Sequence, residues 1–308
     1  MREIGIILNA NAKRVRRGKI TAESFLAAGE DMIDLQMTST FEELETAIRN
    51  FKKAAYPYIG IVGGDGTIHH AVTRMINIYG GGNVPLVLLL KGGHMDNIAT
   101  SVGMSGNSVS ILKRMLKNLK KGASPETCSR DTIRIEDRYC SLFGIGFVIN
   151  LLREAYAGKD KGVKQNLVAV FKAVREALLQ PDDGRMFKGI QATVTVNGEK
   201  VDFTNITAIM AATVEGVGMG FKPMGKALER PNTYHALITG FDGRQIVAHI
   251  LHIKNGWEIT HPLVCDTVAD TLTITSDFPF AYTMDGDLYE SGGSLALSTG
   301  PAIRYVHV

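Results

Sequence analysis

The stretch that most narrows what this chain can fold into runs from Tyr58 to Tyr79. A short apolar, β-branched run, Tyr58–Val62, passes directly into Gly63-Gly64-Asp65-Gly66-Thr67. Ile68, Val72, Met75, Ile76 and Tyr79 then recur at helical spacing. In a strand–turn–helix of this kind the glycines let backbone approach a bulky anion with no side chain in the way. The helix start directs unsatisfied N–H groups and the positive end of its dipole at that anion. Thr67 adds a hydroxyl donor. Asp65 has no use at a turn that only binds phosphate; it points to a cation such as Mg²⁺ or to a proton transfer. The loop matches neither the dinucleotide pattern G-x-G-x-x-G nor the Walker pattern, which disfavours a dehydrogenase or a P-loop ATPase.

The surroundings agree with a strand–helix alternation. Glu3–Leu8 and Val84–Leu90 read as further buried strands. Thr40-Phe41-Glu42-Glu43 is a capping box opening a helix with Phe41, Leu44, Ile48 and Phe51 on one face. Ser108–Leu119 is another helix, with Ile111, Leu112, Met115 and Leu119 inward. Apolar strands separated by amphipathic helices predict a parallel sheet with helices on both faces. Near Ala123-Ser124-Pro125 the pattern changes. Thr132–Glu136 with Tyr139–Phe147, and the hairpin Gly189–Phe203 around Asn197-Gly198, read as antiparallel strands. So do Ile206–Thr213, Tyr234–Thr239, Thr271–Thr275, Ser294–Ser298 and Ala302–Val306. Helices are expected at Val163–Leu179 and Gln245–Ile253. The expected organisation is an α/β domain over 1–126, with strand 300–308 packing back on it, and a β-rich, sandwich-like domain over 127–299.

Composition bounds the partners. A net charge of +3 over 308 residues is too small to point to nucleic acid. Lys13, Arg14, Arg16, Arg17 and Lys19 nevertheless crowd five cations into seven residues after the first strand. That run is a solvated loop or a site for phosphates or an anionic membrane surface. Three scattered cysteines fit a reducing compartment rather than a disulfide framework. No apolar run is long enough to cross a membrane. The adjacent His69 and His70 point about 100° apart on a helix, so they do not serve one metal easily and read as surface residues. His249 and His252 share a helix face without a visible third ligand and read as structural.

Five elements in order resemble the catalytic family of diacylglycerol kinases, which includes bacterial lipid kinases and is related to sphingosine and ceramide kinases. They are the Gly63–Thr67 loop; Gly93-His94-Met95-Asp96-Asn97-Ile98-Ala99-Thr100-Ser101-Val102-Gly103; Gly144-Ile145-Gly146-Phe147; Gly216-Val217-Gly218-Met219 with Pro223; and Asp285-Gly286-Asp287. The resemblance implies a fold like that of phosphofructokinase and NAD kinase, and a cytoplasmic enzyme, peripheral at the membrane. It would transfer the ATP γ-phosphoryl to a lipid hydroxyl with Mg²⁺, in the cleft between its two domains. It assigns nucleotide contacts to Thr38, Gly63, Gly64, Asp65, Gly66, Thr67, His94 and Asn97, and Mg²⁺ contacts to Asp65 and Asp96. Asp287 stands where the family carries a glutamate base, and Asp65 is the alternative base.

The departures are specific. His94 replaces a threonine, Asp96-Asn97 inverts Asn-Asp, and Asp287 is a methylene shorter than Glu. The Asp-Asp-Gly that carries a secondary metal site in some bacterial members is missing near Arg230-Pro231-Asn232. Expected partners are a lipid substrate, an anionic membrane reached through Lys13–Lys19 or through Lys113, Arg114, Lys117, Lys120 and Lys121, and a second copy of the chain as a homodimer. An NAD kinase is the first rival, although the Asn-Glu pair and the Gly- and Ser-rich segment expected of one are missing. The second is a nucleotide- or lipid-binding regulator that kept the fold and lost turnover.

Overall fold

The computed structural model describes residues 2–93, 96–156, 185–217 and 220–308. The helix expected at Val163–Leu179 lies outside them. Two compact units emerge, 1–130 with 301–308, and 131–300.

The first unit is built in strand–helix steps. β1 (Ile4–Asn9) leads through α1 (Lys13–Arg16) and α2 (Ala22–Gly29) to β2 (Ile33–Thr38), and α3 (Phe41–Ala54) leads to β3 (Tyr58–Gly63). α4 (Asp65–Tyr79) connects to β4 (Leu86–Lys91), which is followed by α5 (Asn97–Ser101) and α6 (Ser108–Lys120). The strands pair in parallel in the order β2-β1-β3-β4, and the chain's last strand adds beside β4 through Tyr305 and Val87. From β1 the chain steps outward one way to β2; from β3 it steps the other way to β4. Right-handed crossovers therefore put the helices on opposite faces of the sheet, α2 with α6 and α3 with α4. Strands covered on both faces must be apolar throughout, which is why β1, β3 and β4 were legible as short hydrophobic runs.

The Thr40–Glu43 capping box is present in both directions. Leu44, Ile48 and Phe51 are buried as the helical period requires, and Phe51 lies where a Cβ at Gly5 would strike its ring at 2.6 Å. Burying such a ring contributes roughly 1.5–3 kcal/mol. Phe41 departs from expectation. At the first position of α3 it is beyond the reach of the core and is 52% exposed, with the Arg74 guanidinium 4.5 Å from its ring centroid.

In the second unit, β5 (Glu126–Ile135), whose first residues belong to the first unit, turns at Glu136 and Asp137 into β6 (Arg138–Cys140). The chain then bends at Ser141 and enters β7 (Leu142–Gly146), so the single strand expected over Tyr139–Phe147 is two strands. α7 (Phe147–Tyr156) follows. The Asn197-Gly198 hairpin joins β9 (Thr193–Val196) to β10 (Glu199–Lys200), after β8 (Ile190–Gln191) and before β11 (Asn205–Ile206) and β12 (Ala208–Ala212). β13 (Tyr234–Thr239) is followed by two short helices, α8 (Gly243–Ala248) and α9 (Ile250–Asn255), which break the expected Gln245–Ile253 helix at His249. Then come β14 (Val264–Ala269), β15 (Thr271–Thr275), β16 (Phe280–Met284), β17 (Asp287–Ser291) and β18 (Ser294–His307).

Six strands form an antiparallel sheet, β14-β13-β12-β7-β16-β17. Its inner face (Phe143, Ile145, Ile209, Tyr234, Tyr282, Met284) packs on Val194, Val196, Leu272, Ile274 and Leu297 from the strands around β15. The α/β-plus-sandwich class expected from the sequence is what the chain adopts. Among the described residues no helix is long and apolar enough to cross a membrane.

One buried ionic group in this unit makes stability pH-dependent. The Asp266 carboxylate lies 2.8 Å from His235 Nε2 and 3.1 Å from Lys226 Nζ, and accepts the Ile259 N–H at 3.3 Å. Burial pushes its pKa up, but the His235 and Lys226 hydrogen bonds and charges outweigh burial and hold it below the ordinary carboxylate value. A depressed folded pKa stabilises above the unfolded value, about 3.9, and that contribution disappears as pH falls through the folded value. Asp266→Asn should therefore lower the melting temperature at pH 7, with the difference from wild type shrinking below about pH 4. A difference independent of pH would contradict this account.

Candidate active site

The order β2-β1-β3-β4 reverses direction between β1 and β3, and open parallel sheets bind ligands beyond the carboxyl ends of strands at such a point. The residues there are Asn9, Thr38, Gly63 and Lys91. Asn9 Nδ2 donates to Thr67 Oγ1 at 2.8 Å, joining the end of β1 to the glycine loop. Asn9 Oδ1 accepts the Asn11 N–H at 2.8 Å, and Asn11 Nδ2 donates to the Ser39 carbonyl at 2.9 Å. Thr38, buried, ends β2 directly opposite Asn9, and its carbonyl accepts the Ala10 N–H at 2.9 Å. Two asparagines thus hold the turn after β1 by side-chain hydrogen bonds.

The glycine loop and the loop after β4 interlock backbone against backbone. Gly92 N–H donates to the Gly63 carbonyl at 2.9 Å, and a Cβ at Gly93 would lie 2.4 Å from the Gly64 Cα. Gly64 caps α4 with no side-chain partner for the helix's first N–H groups, which leaves that end suited to an anion. A carboxylate from each loop adds further ties. Asp65 Oδ1 accepts the Ile98 N–H at 3.1 Å, near the start of α5. Asp96, 4% exposed and at φ 49°, accepts the Gly93 N–H at 2.9 Å through Oδ1, and its Oδ2 lies 3.6 Å from Arg14 Nη2.

Arg14 also reaches the Lys91 carbonyl at 3.5 Å. With Lys13, Arg17, Lys19 and Gly93 it lines a cavity of about 150 Å³. The basic run after the first strand is therefore folded against the glycine loops. In the other basic cluster, Arg114 donates to the Ser105 and Val308 carbonyls and Lys120 pairs with Glu30.

Of the residues singled out from the sequence, Thr38, Gly63, Gly64, Asp65, Gly66, Thr67 and Asp96 gather at this edge of the first unit. Asn97 opens α5 and His94 lies outside the described residues. Asp287 belongs to the second unit, as the first residue of β17. His69, expected at the surface, is buried at 2% exposed. His70 packs 4.5 Å from the Phe41 ring centroid. The fold buries the α4 face that carries His69 as well as the apolar stripe. Asn9 was missed as a site residue; the available signal was a polar amide closing an otherwise apolar buried strand.

Residues 3–125 match the family model of the diacylglycerol kinase catalytic domain. The segment that carries the glycine loop is thus similar to that domain, as the motifs led one to expect, and kinase is the class that the match supports. A solved diacylglycerol kinase structure from Bacillus anthracis strain Sterne superposes with a TM-score of 0.68 at 13% identity, covering 99% of this chain and 97% of its own. A second structure from that organism, described as a candidate diacylglycerol kinase, gives 0.71 at 13% identity over the same shares. At that identity they establish a common fold across both units. No curated protein matches the sequence.

Proposed function

We propose that this protein is an ATP-dependent lipid kinase that transfers the γ-phosphoryl of ATP to a hydroxyl of diacylglycerol or a related lipid. The observation that carries the reading is the cation-lined cavity of Lys13, Arg14, Arg17 and Lys19 against Gly93, beside the uncapped start of α4. Four cations and a helix N-terminus beside interlocked glycine loops fit a polyphosphate and would repel a cationic ligand. Phosphoryl transfer asks a protein for positioning and charge stabilisation rather than covalent chemistry. Thr67, held by Asn9, orients a hydroxyl at the loop, while Arg14 and its neighbours neutralise phosphate charge. Asp287 is the acceptor base in this reading.

Mg²⁺ bound with the nucleotide supplies further neutralisation of the transferred group. Of the two carboxylates considered for it, Asp65 is the better suited, because Asp96 already faces the Arg14 guanidinium, a cation that would compete with Mg²⁺. A lipid acceptor also implies transient contact with an anionic membrane.

Purified protein with Mg²⁺ and γ-labelled ATP should phosphorylate diacylglycerol or another lipid alcohol in mixed micelles and leave NAD unchanged. The panel should include sphingoid bases, ceramide and phosphatidylglycerol. Formation of NADP with no labelled lipid would replace this reading with the NAD kinase one. No turnover on any acceptor, with ATP still bound, would favour a regulator.

A further inference from the structure

The hairpin that carries Asp287 is held by the carboxylate two residues before it. Asp285 and Gly286 are the whole loop between β16 and β17, since Met284 pairs with Asp287. Both have positive φ, 49° and 95°, as a two-residue type I′ turn requires. A bare turn of this kind fixes the path of the chain but leaves a hairpin tip free to rock.

Here the tip is tied down. Asp285 Oδ1 accepts the Leu142 N–H at 2.9 Å, and both carboxylate oxygens lie 3.1 Å from the Ser141 nitrogen. In return, Asp285 N–H donates to the Leu142 carbonyl at 2.8 Å. Ser141, the bend between β6 and β7, is buried, and its carbonyl accepts the Thr213 N–H at 2.9 Å, so the clamp is anchored in the sheet rather than in a loop. The Ser141 and Leu142 amides of this clamp both donate to the Asp285 carboxylate. A general base has to be held to within about 0.5 Å of its productive position, and one glycine separates Asp285 from Asp287 along the chain.

We propose that Asp285 is a positioning residue for Asp287, fixing the hairpin tip through the Ser141 and Leu142 amides so that the Asp287 carboxylate is presented in one place. This rests on the reading of Asp287 as the base.

The test is a double-mutant cycle with Asp285→Asn and Asp287→Asn. Asparagine tolerates the left-handed backbone and keeps one acceptor oxygen, but turns an N–H₂ group toward donors, so it loosens the clamp with little backbone cost. Asp285→Asn should lower kcat by about 10-fold or more while KM for ATP stays within about twofold of wild type. In the Asp287→Asn background it should produce no further loss, because its effect passes through Asp287. Circular dichroism and melting temperature establish that each variant is folded at the assay temperature.

Wild-type kcat in Asp285→Asn overturns the proposal. So does an equal fractional loss in both backgrounds, which would mark general damage to the unit. If the wild type itself turns over no acceptor, the kinase reading fails first and Asp285 has no role in turnover.

Discussion

Asp287→Asn lowers turnover by about 10²–10⁴-fold while leaving ATP affinity close to wild type, if Asp287 takes the proton from the acceptor hydroxyl. Asparagine is nearly isosteric and preserves the turn, so the change removes only the basic oxygen. Steady-state kinetics on the active acceptor, with ATP binding by calorimetry, separates the two quantities. Asp287→Glu restores the family's side-chain length at the same point of β17, and should retain or raise activity. Asp65→Asn is the counterpart. Its carbonyl oxygen still accepts the Ile98 N–H, so the tie to α5 survives the loss of charge. Nucleotide binding and turnover should then weaken together, because Asp65 is assigned to Mg²⁺ as well. Normal turnover in Asp287→Asn would transfer the base role to Asp65.

Replacing Gly64 with valine should weaken ATP binding by more than about 100-fold. The cause is the interlock of two loops. A Cβ at Gly64 would sit 3.0 Å from the Gly93 Cα, which is backbone and cannot swing aside. The γ-methyls of valine would push the two loops apart and disturb the Gly92 N–H bond to the Gly63 carbonyl. They would also misplace the uncapped N–H groups at the start of α4. Because the strain is confined to the carboxyl edge of the sheet, the strands beneath should keep their order, and the far-ultraviolet circular dichroism of the variant should match wild type. Calorimetric titration of ATP into the folded variant checks the point; unchanged affinity would mean that phosphate does not bind at this loop.

Much of this was written locally in the chain. The runs that became β1, β3 and β4, the capping box at Thr40 and Glu43, and the Asn197-Gly198 turn depend on neighbours within a few residues, and were legible for that reason. β2, Ile33–Thr38, was not. It is an edge strand with mostly half-exposed side chains, so its mixed pattern carries no clear period, and the position of Thr38 at its end followed only from the pairing with Asn9. The same holds for β16 and β17, whose residues became strands by pairing with β7 and with each other.

For the site, the sequence by itself determined the glycine loop, its place between strand and helix, and the identity of the charged residues available. Glycine's lack of a side chain and the dipole of a helix start are properties that need no partner. What each charge does was decided by the tertiary structure. Asn9 meets Thr67 from 58 residues away. The parallel sheet brings Arg14 to Asp96, engaging that carboxylate with a cation, and the antiparallel sheet brings Asp285 to the Ser141 and Leu142 amides. The role of a buried carboxylate depends on the donors the fold places around it, and those donors lie far off along the chain, where no local pattern can show them.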